Sequence, residues 1–169
     1  VVDSNGIKST IECDGIINAA GPWSRKVAKF INQNVELQLT RGCGIFFSDK
    51  LVNKAINRCR IPNNNDIMCP SEKESLWGTT SNIVYDPDSA KTTSDEIQEL
   101  LSGAEELFPN IKNYKSFRTW SGIRPLVKSK KINIGLPLSR GHRVIDHEAQ
   151  GLKNFLTICG GALTTHRLM

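Results

Sequence analysis

The alternation of apolar and polar positions predicts β-structure at the start of the chain. Residues 1–13 predict a hairpin, because the Asn-Gly pair at positions 5 and 6 suits a type I′ turn. From Ile7 to Cys13, apolar or small residues alternate with polar ones, which is typical of a half-buried strand. The run 16–20 is nearly all apolar and predicts a short strand covered on both faces.

Two helices are predicted. Pro22 suits the first position of a helix, where its missing N–H does no harm. Four large side chains then share one helical face: Trp23, Val27, Phe30 and Ile31. The stronger prediction is 94–108, where Thr93 and Glu96 form a capping box, apolar residues recur at helical spacing and Pro109 follows.

Strands outnumber helices in the rest of the chain. Gly42 and Gly44 fall within a predicted strand and suggest a bend or a close backbone approach. The pattern predicts an α+β fold, with a mixed, largely antiparallel sheet and flanking helices. The further strands are expected at 35–47, 67–70, 75–80, 116–128, 131–136, 142–148 and 154–159, and a helix start at 164–169.

Composition narrows the class of protein. The chain has 169 residues, 38% hydrophobic and 23% charged, as in a globular domain, and no apolar run approaches a membrane span. It begins in a strand-like pattern without Met, which predicts a piece of a longer protein. The net charge of +5 fits either a solvated basic surface or an anionic partner. Only Lys128, Lys130 and Lys131 cluster, without aromatic neighbours, so nucleic acid is not expected.

The five cysteines do not indicate a metal site. None forms a Cys-x-x-Cys pair, and the three histidines lack zinc-ligand spacing. We interpret the cysteines as buried, reduced thiols of a cytosolic protein.

Two segments place small residues where a strand runs into a helix. One is 18–23 (Asn-Ala-Ala-Gly-Pro-Trp) and the other is 157–167, which contains Gly160-Gly161. Such turns allow a flat ligand to approach the backbone, but they also suit tight core packing or an ordinary strand–helix turn. The chain has no Gly-x-Gly-x-x-Gly, no P-loop and no Gly-x-Ser-x-Gly, so it lacks a dinucleotide fingerprint of its own.

Two arginines are candidates for binding an anion. Arg124 lies inside an apolar strand, where burial requires a carboxylate, a cluster of carbonyls or a ligand anion as partner. Arg140 lies in the polar segment 139–143, which could equally be a solvated loop. Together they would make a phosphate clamp, because a guanidinium matches phosphate oxygens bidentately.

The order of these segments resembles the FAD-dependent glycerol-3-phosphate dehydrogenases over essentially the whole chain. The matching motifs are 18–23, Gly78-Thr79-Thr80, Trp120-Ser121-Gly122-Ile123-Arg124-Pro125-Leu126, Gly160-Gly161 and Leu163-Thr164-Thr165 with 167–169. The segment 57–60 with Pro62 and 66–67, and the Asp-His pair at 146–147, look more like the anaerobic-type large catalytic subunit than the aerobic single-chain enzyme.

The resemblance implies a flavoenzyme fold of the amino-acid-oxidase type. Residues 1–30 and 155–169 would be returning pieces of the FAD-binding domain, and 31–154 the substrate-binding domain. The reaction would be oxidation of sn-glycerol-3-phosphate to dihydroxyacetone phosphate by hydride transfer to FAD. Electrons would pass through electron-transfer and membrane-anchor subunits to quinone, in a cytoplasmic complex held peripherally at the membrane.

The resemblance also assigns roles to residues. Arg124 and Arg140 would bind the substrate phosphate; the cofactor would lie near Ala20, Gly21, Gly160, Gly161, Ala162 and Thr164. The main FAD segment would lie upstream, so the isolated chain would be inactive, with ends prone to dimerisation or disorder. No catalytic residue is assigned within the chain.

Two positions depart from the family pattern Gly-Gly-Lys-Leu-Thr-Thr-Tyr. Ala162 replaces the lysine and His166 replaces the tyrosine. Loss of a cation near flavin and substrate leaves three possibilities: weaker catalysis, a different substrate or an engineered alanine. The alternatives in function are therefore an amino-acid-oxidase-like flavoenzyme and a non-catalytic binding domain.

Overall fold

A computed structural model describes residue 2 and residues 4–60, 65–127 and 141–169, with the backbone alone for Phe117. The chain forms two compact units. The terminal unit comprises Val1–Leu37 with Leu126–Met169, and the central unit comprises Gln38–Pro125.

The described residues form nine strands and two α-helices. The strands are β1 (Ile16–Asn18), β2 (Leu37–Phe47), β3 (Ile56–Asn57), β4 (Ile67–Pro70), β5 (Ser75–Gly78), β6 (Asn82–Val84), β7 (Ser116–Val127), β8 (His142–Asp146) and β9 (Phe155–Gly160). The helices are α1 (Ser24–Lys29) and α2 (Ser94–Glu105), and short 3₁₀ turns occupy Gly21–Trp23, Ile111–Asn113, Glu148–Gln150 and Leu163–Thr165.

The sheet of the central unit is organised around β2. Its strand order is β3-β4-β5-β2-β6, and β7 also pairs with β2. Strands β5 and β6 follow one another and both pair antiparallel with β2, but the register shifts by one residue between Gly44↔Gly78 and Arg41↔Asn82. Residues 79–81 therefore form a β-bulge, with three residues opposite two.

The two faces of this sheet have different compositions. Odd-numbered side chains of β2 join the buried core, which packs against α2 and the turn at Ile111. The core residues are Cys43, Ile45, Phe47, Val52, Met68, Trp77, Leu100, Ala104 and Ile111. The opposite face has glycine at 42 and 44 of β2 and at 78 of β5. Burial of the first face stabilises the unit. The glycines leave part of β2 without side chains of its own on the second face.

Helix α2 begins at the capping box that the sequence predicts. The Glu96 N–H donates to Thr93 Oγ1 (3.3 Å), and the Thr93 N–H donates to Glu96 Oε2 (2.9 Å). The same carboxylate, 2% exposed, forms an ion pair with Arg41 (Nη2 to Oε2, 2.9 Å; Nε to Oε1, 3.1 Å). Burial alone would raise the pKa of Glu96, but hydrogen bonds from the Thr93 backbone, Asn82, Arg41 and Cys43 outweigh it and lower the pKa to about 2.

The terminal unit contains a three-stranded sheet in the order β1-β9-β8. Strand β1 pairs parallel with β9, with Asn18 opposite Thr157, and β8 pairs antiparallel with β9. The parallel pair brings the segments that follow β1 and β9 to the same edge of the sheet.

The structure confirms the predicted α+β class and most of the predicted elements. Helices α1 and α2, the strand at 37–47, the antiparallel pair β4–β5, and strands β7, β8 and β9 lie where the patterns predict them. The strand predicted at 131–136 and the lysine cluster at 128–131 lie outside the described residues. The helix predicted to start at Thr164 is a 3₁₀ turn at Leu163–Thr165.

Several predictions of burial are wrong. An antiparallel bridge between Val2 and Lys8 spans the turn predicted at positions 5 and 6, but the segment 7–13, expected to be half-buried, is exposed. Strand β1 is not covered on both faces, because Ile17 is 68% exposed. On the apolar face predicted for the first helix, Trp23 and Phe30 are exposed (44% and 86%) and Val27 and Ile31 are half-buried. The buried residues of α1 are Ser24 and Ala28. The patterns identify apolar faces, but they do not determine how far each face is buried.

The five cysteines are free thiols, but only two of them are buried. Cys43 and Cys159 lie in the interior, Cys69 is half-buried, and Cys13 and Cys59 are exposed, which corrects the expectation of five buried thiols. None of the helices in the described ranges has both the length and the apolar content that crossing a membrane requires.

Acidification tests the buried carboxylate. The pKa of Glu96 is lower in the folded state than in the unfolded state, so the unfolded state binds more protons as the pH falls. The ionised carboxylate therefore contributes about 3 kcal/mol to the free energy of unfolding above its ordinary pKa. This contribution is lost as the pH falls from about 4.5 to about 2. The free energy of unfolding, measured by urea denaturation at several pH values, should therefore fall less steeply with acidification in Glu96→Gln than in the unsubstituted protein.

The control for this measurement is Glu72→Gln, which neutralises an exposed carboxylate between β4 and β5. The control should keep the steep acid loss. Equal pH dependence in Glu96→Gln and the unsubstituted protein would contradict the depressed pKa.

Candidate functional site

The guanidinium of Arg124 is fixed by two consecutive residues of the bulge. Arg124 Nη1 donates to the Thr80 carbonyl oxygen (3.1 Å) and Nη2 donates to Thr79 Oγ1 (3.0 Å). The side chain is half-buried. The sequence predicts a carboxylate, a carbonyl cluster or a ligand anion for this arginine, and one carbonyl and one hydroxyl oxygen are among its partners. Two bonds from different nitrogens hold the plane of the guanidinium in one orientation.

The missing side chains of β2 allow this placement. A Cβ at position 42 would overlap the Arg124 guanidinium, and a Cβ at position 44 would press against the Trp120 indole. Arg118 continues the row on the same face of β7, with its guanidinium 3.6 Å from the centroid of the Phe46 ring. The close approach predicted from Gly42 and Gly44 is therefore made by side chains of β7 lying across β2.

The terminal unit gathers the predicted cofactor residues at one edge of its sheet. Ala20 and Gly21 follow β1, whereas Gly160 ends β9 and Gly161 comes next. Because β1 and β9 run parallel, both segments lie at the carboxyl ends of their strands, and the turn Gly21–Trp23 contacts β9. The carboxyl edge of parallel strands is the usual place for a nucleotide ligand in sheets of this kind.

The glycine pair after β9 has a backbone that other residues rarely adopt. Gly160 and Gly161 have φ of +78° and +74°, and a Cβ at either position would overlap neighbouring atoms of Gly141 or Met169. Beyond the pair, Ala162 and Thr164 are exposed, and Thr165 closes the turn through the backbone of Ala162. The chain thus presents a half-exposed glycine pair, exposed small side chains and exposed Leu163 at this edge.

A buried polar network holds the same edge, and sequence reasoning missed it. Asn18 Nδ2 donates to the Ser24 carbonyl (2.9 Å) and to Thr157 Oγ1 (3.3 Å), and Asn18 Oδ1 accepts from the Ala20 N–H (3.3 Å). Fully buried His147 bonds to Thr157 Oγ1 through Nε2 (2.9 Å). In the sequence its members appear only within motifs: Asn18 begins 18–23, Thr157 begins 157–167, and His147 belongs to the Asp-His pair at 146–147.

The predicted site residues fall into both units, and one of them lies outside the described part of the chain. Arg124 belongs to the central unit, whereas Ala20, Gly21, Gly160, Gly161, Ala162 and Thr164 belong to the terminal unit. Arg140 lies outside the described residues. Thr79 and Thr80, which the sequence marks only as part of a motif, contact Arg124 directly.

The buried thiols are not candidates for nucleophilic chemistry. Burial raises the pKa of the Cys43 thiol and of the Cys159 thiol, which favours the unreactive protonated form. In the described part of the chain no cluster of His, Cys, Asp and Glu could hold a metal ion.

Known proteins share both the sequence and the fold of this chain. It is 38% identical over 157 residues to one subunit of the anaerobic glycerol-3-phosphate dehydrogenase of Escherichia coli K12, an alignment covering 91% of this chain and 29% of that protein. It is 30% identical over 176 residues to the aerobic glycerol-3-phosphate dehydrogenase of Staphylococcus haemolyticus, covering 94% of this chain and 29% of that one. The chain thus spans less than a third of the length of these relatives.

Among solved structures, a glycerol-3-phosphate dehydrogenase from Bacillus halodurans, complexed with FAD, matches with a TM-score of 0.71 at 22% identity, over 97% of this chain and 32% of that one. A glycine oxidase from Geobacillus kaustophilus matches with a TM-score of 0.68 at 18% identity, over 96% and 39%. At these identities the likeness shows the fold, which is of the amino-acid-oxidase type. The family model described as FAD dependent oxidoreductase matches residues 1–167, and the chain therefore belongs to the FAD-dependent oxidoreductases.

Proposed function

We propose that this chain is the part of a FAD-dependent glycerol-3-phosphate dehydrogenase that binds the substrate phosphate and one side of the flavin. The observation that carries the proposal is the Arg124 guanidinium, held flat over Gly42 by Thr79 and Thr80. The named relatives support the substrate, since both the anaerobic and the aerobic proteins are glycerol-3-phosphate dehydrogenases. The activity belongs to the longer protein of which these relatives are examples.

Arg124 has the chemistry that a phosphomonoester requires. A guanidinium keeps its charge at any physiological pH and offers a planar fork of N–H donors that matches phosphate oxygens. Fixing that fork before the ligand arrives lowers the ordering cost of binding. We propose Arg140 as the second cation of the clamp, on the strength of the family resemblance alone.

The residues of the terminal unit fit FAD. Half-exposed Gly160 and Gly161, together with exposed Ala162 and Thr164, would let a flat ring approach the chain here. Ala20 and Gly21 lie at the same sheet edge, so six residues of the unit would contact the cofactor. Bound FAD would supply the hydride acceptor. The division into FAD-binding pieces at 1–30 and 155–169 and a substrate-binding part at 31–154 remains our proposal.

The electron path beyond the flavin is also proposed. The Escherichia coli relative is named as one subunit of its enzyme, which supports an assembly with further chains. We infer that electron-transfer and membrane-anchor subunits pass electrons on to quinone, so that a cytoplasmic catalytic chain is attached to the membrane through its partners. Taken alone, the 169-residue chain is expected to be inactive and to pair with itself through its uncovered edges.

Removing the guanidinium should weaken substrate recognition. In the full-length protein, Arg124→Ala should lower kcat/KM for glycerol-3-phosphate by about 10- to 100-fold, the loss of one charge-assisted interaction of roughly 1.5–3 kcal/mol. Arg124→Lys should recover part of the loss, because the charge remains but the fork does not. Steady-state kinetics with an artificial electron acceptor measure both variants.

The matched control is Arg118→Ala, on the same strand and the same sheet face. Arg118 pairs with Glu74 at 2.9 Å, and both side chains are partly exposed, so its loss should change kcat/KM by less than about twofold. Equal losses in the Arg124 and Arg118 variants would reject a specific phosphate role for Arg124.

Adding a Cβ to the glycine pair should release the cofactor. In Gly160→Ala the new carbon overlaps the backbone oxygen of Gly141 at a positive φ, so the turn must move and the flavin-to-protein absorbance ratio should fall severalfold. Gly151→Ala is the control, because it imposes the same backbone strain at φ +85° with nothing within 4 Å. Full flavin content in Gly160→Ala would contradict cofactor contact at this turn.

A further inference from the structure

The two residues that hold Arg124 depend on a second layer of contacts. Thr80 is fully buried. Its N–H donates to the Cys43 carbonyl (3.1 Å), and its hydroxyl accepts from the Cys43 N–H (2.9 Å). The same hydroxyl lies 3.4 Å from Glu96 Oε1, to which it donates. The bulge is therefore attached to β2 on one side and to the first turn of α2 on the other.

Glu96 also holds the residue that follows the bulge. Asn82, the first residue of β6, donates from Nδ2 to Glu96 Oε1 at 2.9 Å. Residues 80 and 82 thus converge on one oxygen atom of one carboxylate. Because Thr79 and Thr80 lie in or beside this short span, the carboxylate limits how far the acceptors of Arg124 can move.

The strand beneath the guanidinium is tied to the same group. Arg41 precedes Gly42, over which Arg124 lies, and it contacts both carboxylate oxygens of Glu96. The side chains of Arg41 and Glu96 are 14% and 3% exposed, so solvent screens this pair little. One carboxylate therefore fixes both the residues that bond to Arg124 and the strand on which it lies.

We propose that Glu96 is a positioning residue for substrate binding, which acts through Thr79, Thr80 and Gly42 to hold the Arg124 guanidinium in register. This inference rests on the proposed phosphate role of Arg124. It goes beyond a helix-capping role, for which the bonds with Thr93 would be sufficient. Glu96 acts on the substrate only through these residues.

The test is a double-mutant cycle in the full-length protein loaded with FAD. Glu96→Gln should raise the KM for glycerol-3-phosphate about tenfold and change kcat by less than about twofold, because the lost contact is equally present in ground state and transition state. In the Arg124→Ala background the same substitution should raise KM no further, since the group that it positions is gone. Glu96→Asp keeps the charge, so its KM should lie between that of the unsubstituted protein and that of Glu96→Gln.

Leu100→Val is the matched control. Leu100 lies one turn further along α2 and is fully buried, so the substitution weakens the same helix without touching the carboxylate. It should lower the midpoint of urea denaturation and leave KM unchanged. If Glu96→Gln does not fold, Asn82→Ala removes one bond to the same oxygen and should raise KM about threefold, again only when Arg124 is present.

The outcomes separate the two proposals. If Arg124→Ala leaves KM unchanged, the proposed phosphate role is wrong. If Arg124→Ala raises KM, but Glu96→Gln has no effect or adds independently to it, the phosphate role stands and the positioning role of Glu96 is overturned.

Discussion

The buried carboxylate of Glu96 is the interaction on which the central unit depends. It caps α2, pairs with Arg41 of β2 and accepts from Thr80 in the bulge and from Asn82 just after it. Burying a charge is costly unless its oxygens are fully bonded, and here the bonds are numerous enough to keep the carboxylate ionised. Breaking one partner would leave an uncompensated buried charge. Because any separation of α2, β2 and the bulge would break a bond to this buried charge, the three elements are held together.

The terminal unit also has a buried polar network. Thr157 Oγ1 bonds to both Asn18 and His147 near the carboxyl edge of β1 and β9, and Asn18 also holds the start of α1. In each unit, glycines allow other protein groups to approach the backbone closely beside the proposed ligand site, and buried hydrogen bonds hold nearby residues in place.

Local chemistry explains which elements the sequence could predict. Helix α2 was predictable because Thr93, Glu96 and Pro109 act over a few residues, and β2 because its apolar alternation is long. The exposure of Trp23 and Phe30 was not predictable, since a pattern of apolar positions does not specify what covers them.

The candidate site shows the same division between local and long-range information. Arg124 was recognisable from an arginine in an apolar strand, and the glycine pair at 160–161 from its position after a strand. The capping role of Glu96 was also recognisable. Its bonds with Arg41 and Asn82, which lie 55 and 14 residues away in the sequence, were not recognisable. Likewise, nothing local linked Asn18 to Thr157, 139 residues away. Such contacts depend on strand register, which a single sequence does not determine.

The central claim is that the protein oxidises a substrate recognised by its phosphate, without the lysine that the family pattern has at position 162. The most direct measurement is anaerobic visible absorbance of the flavin-loaded full-length protein, mixed in turn with sn-glycerol-3-phosphate, glycerol and glycine. Our account predicts that only glycerol-3-phosphate bleaches the flavin band. Bleaching by glycine or glycerol, or a band that only a chemical reductant bleaches, would contradict it.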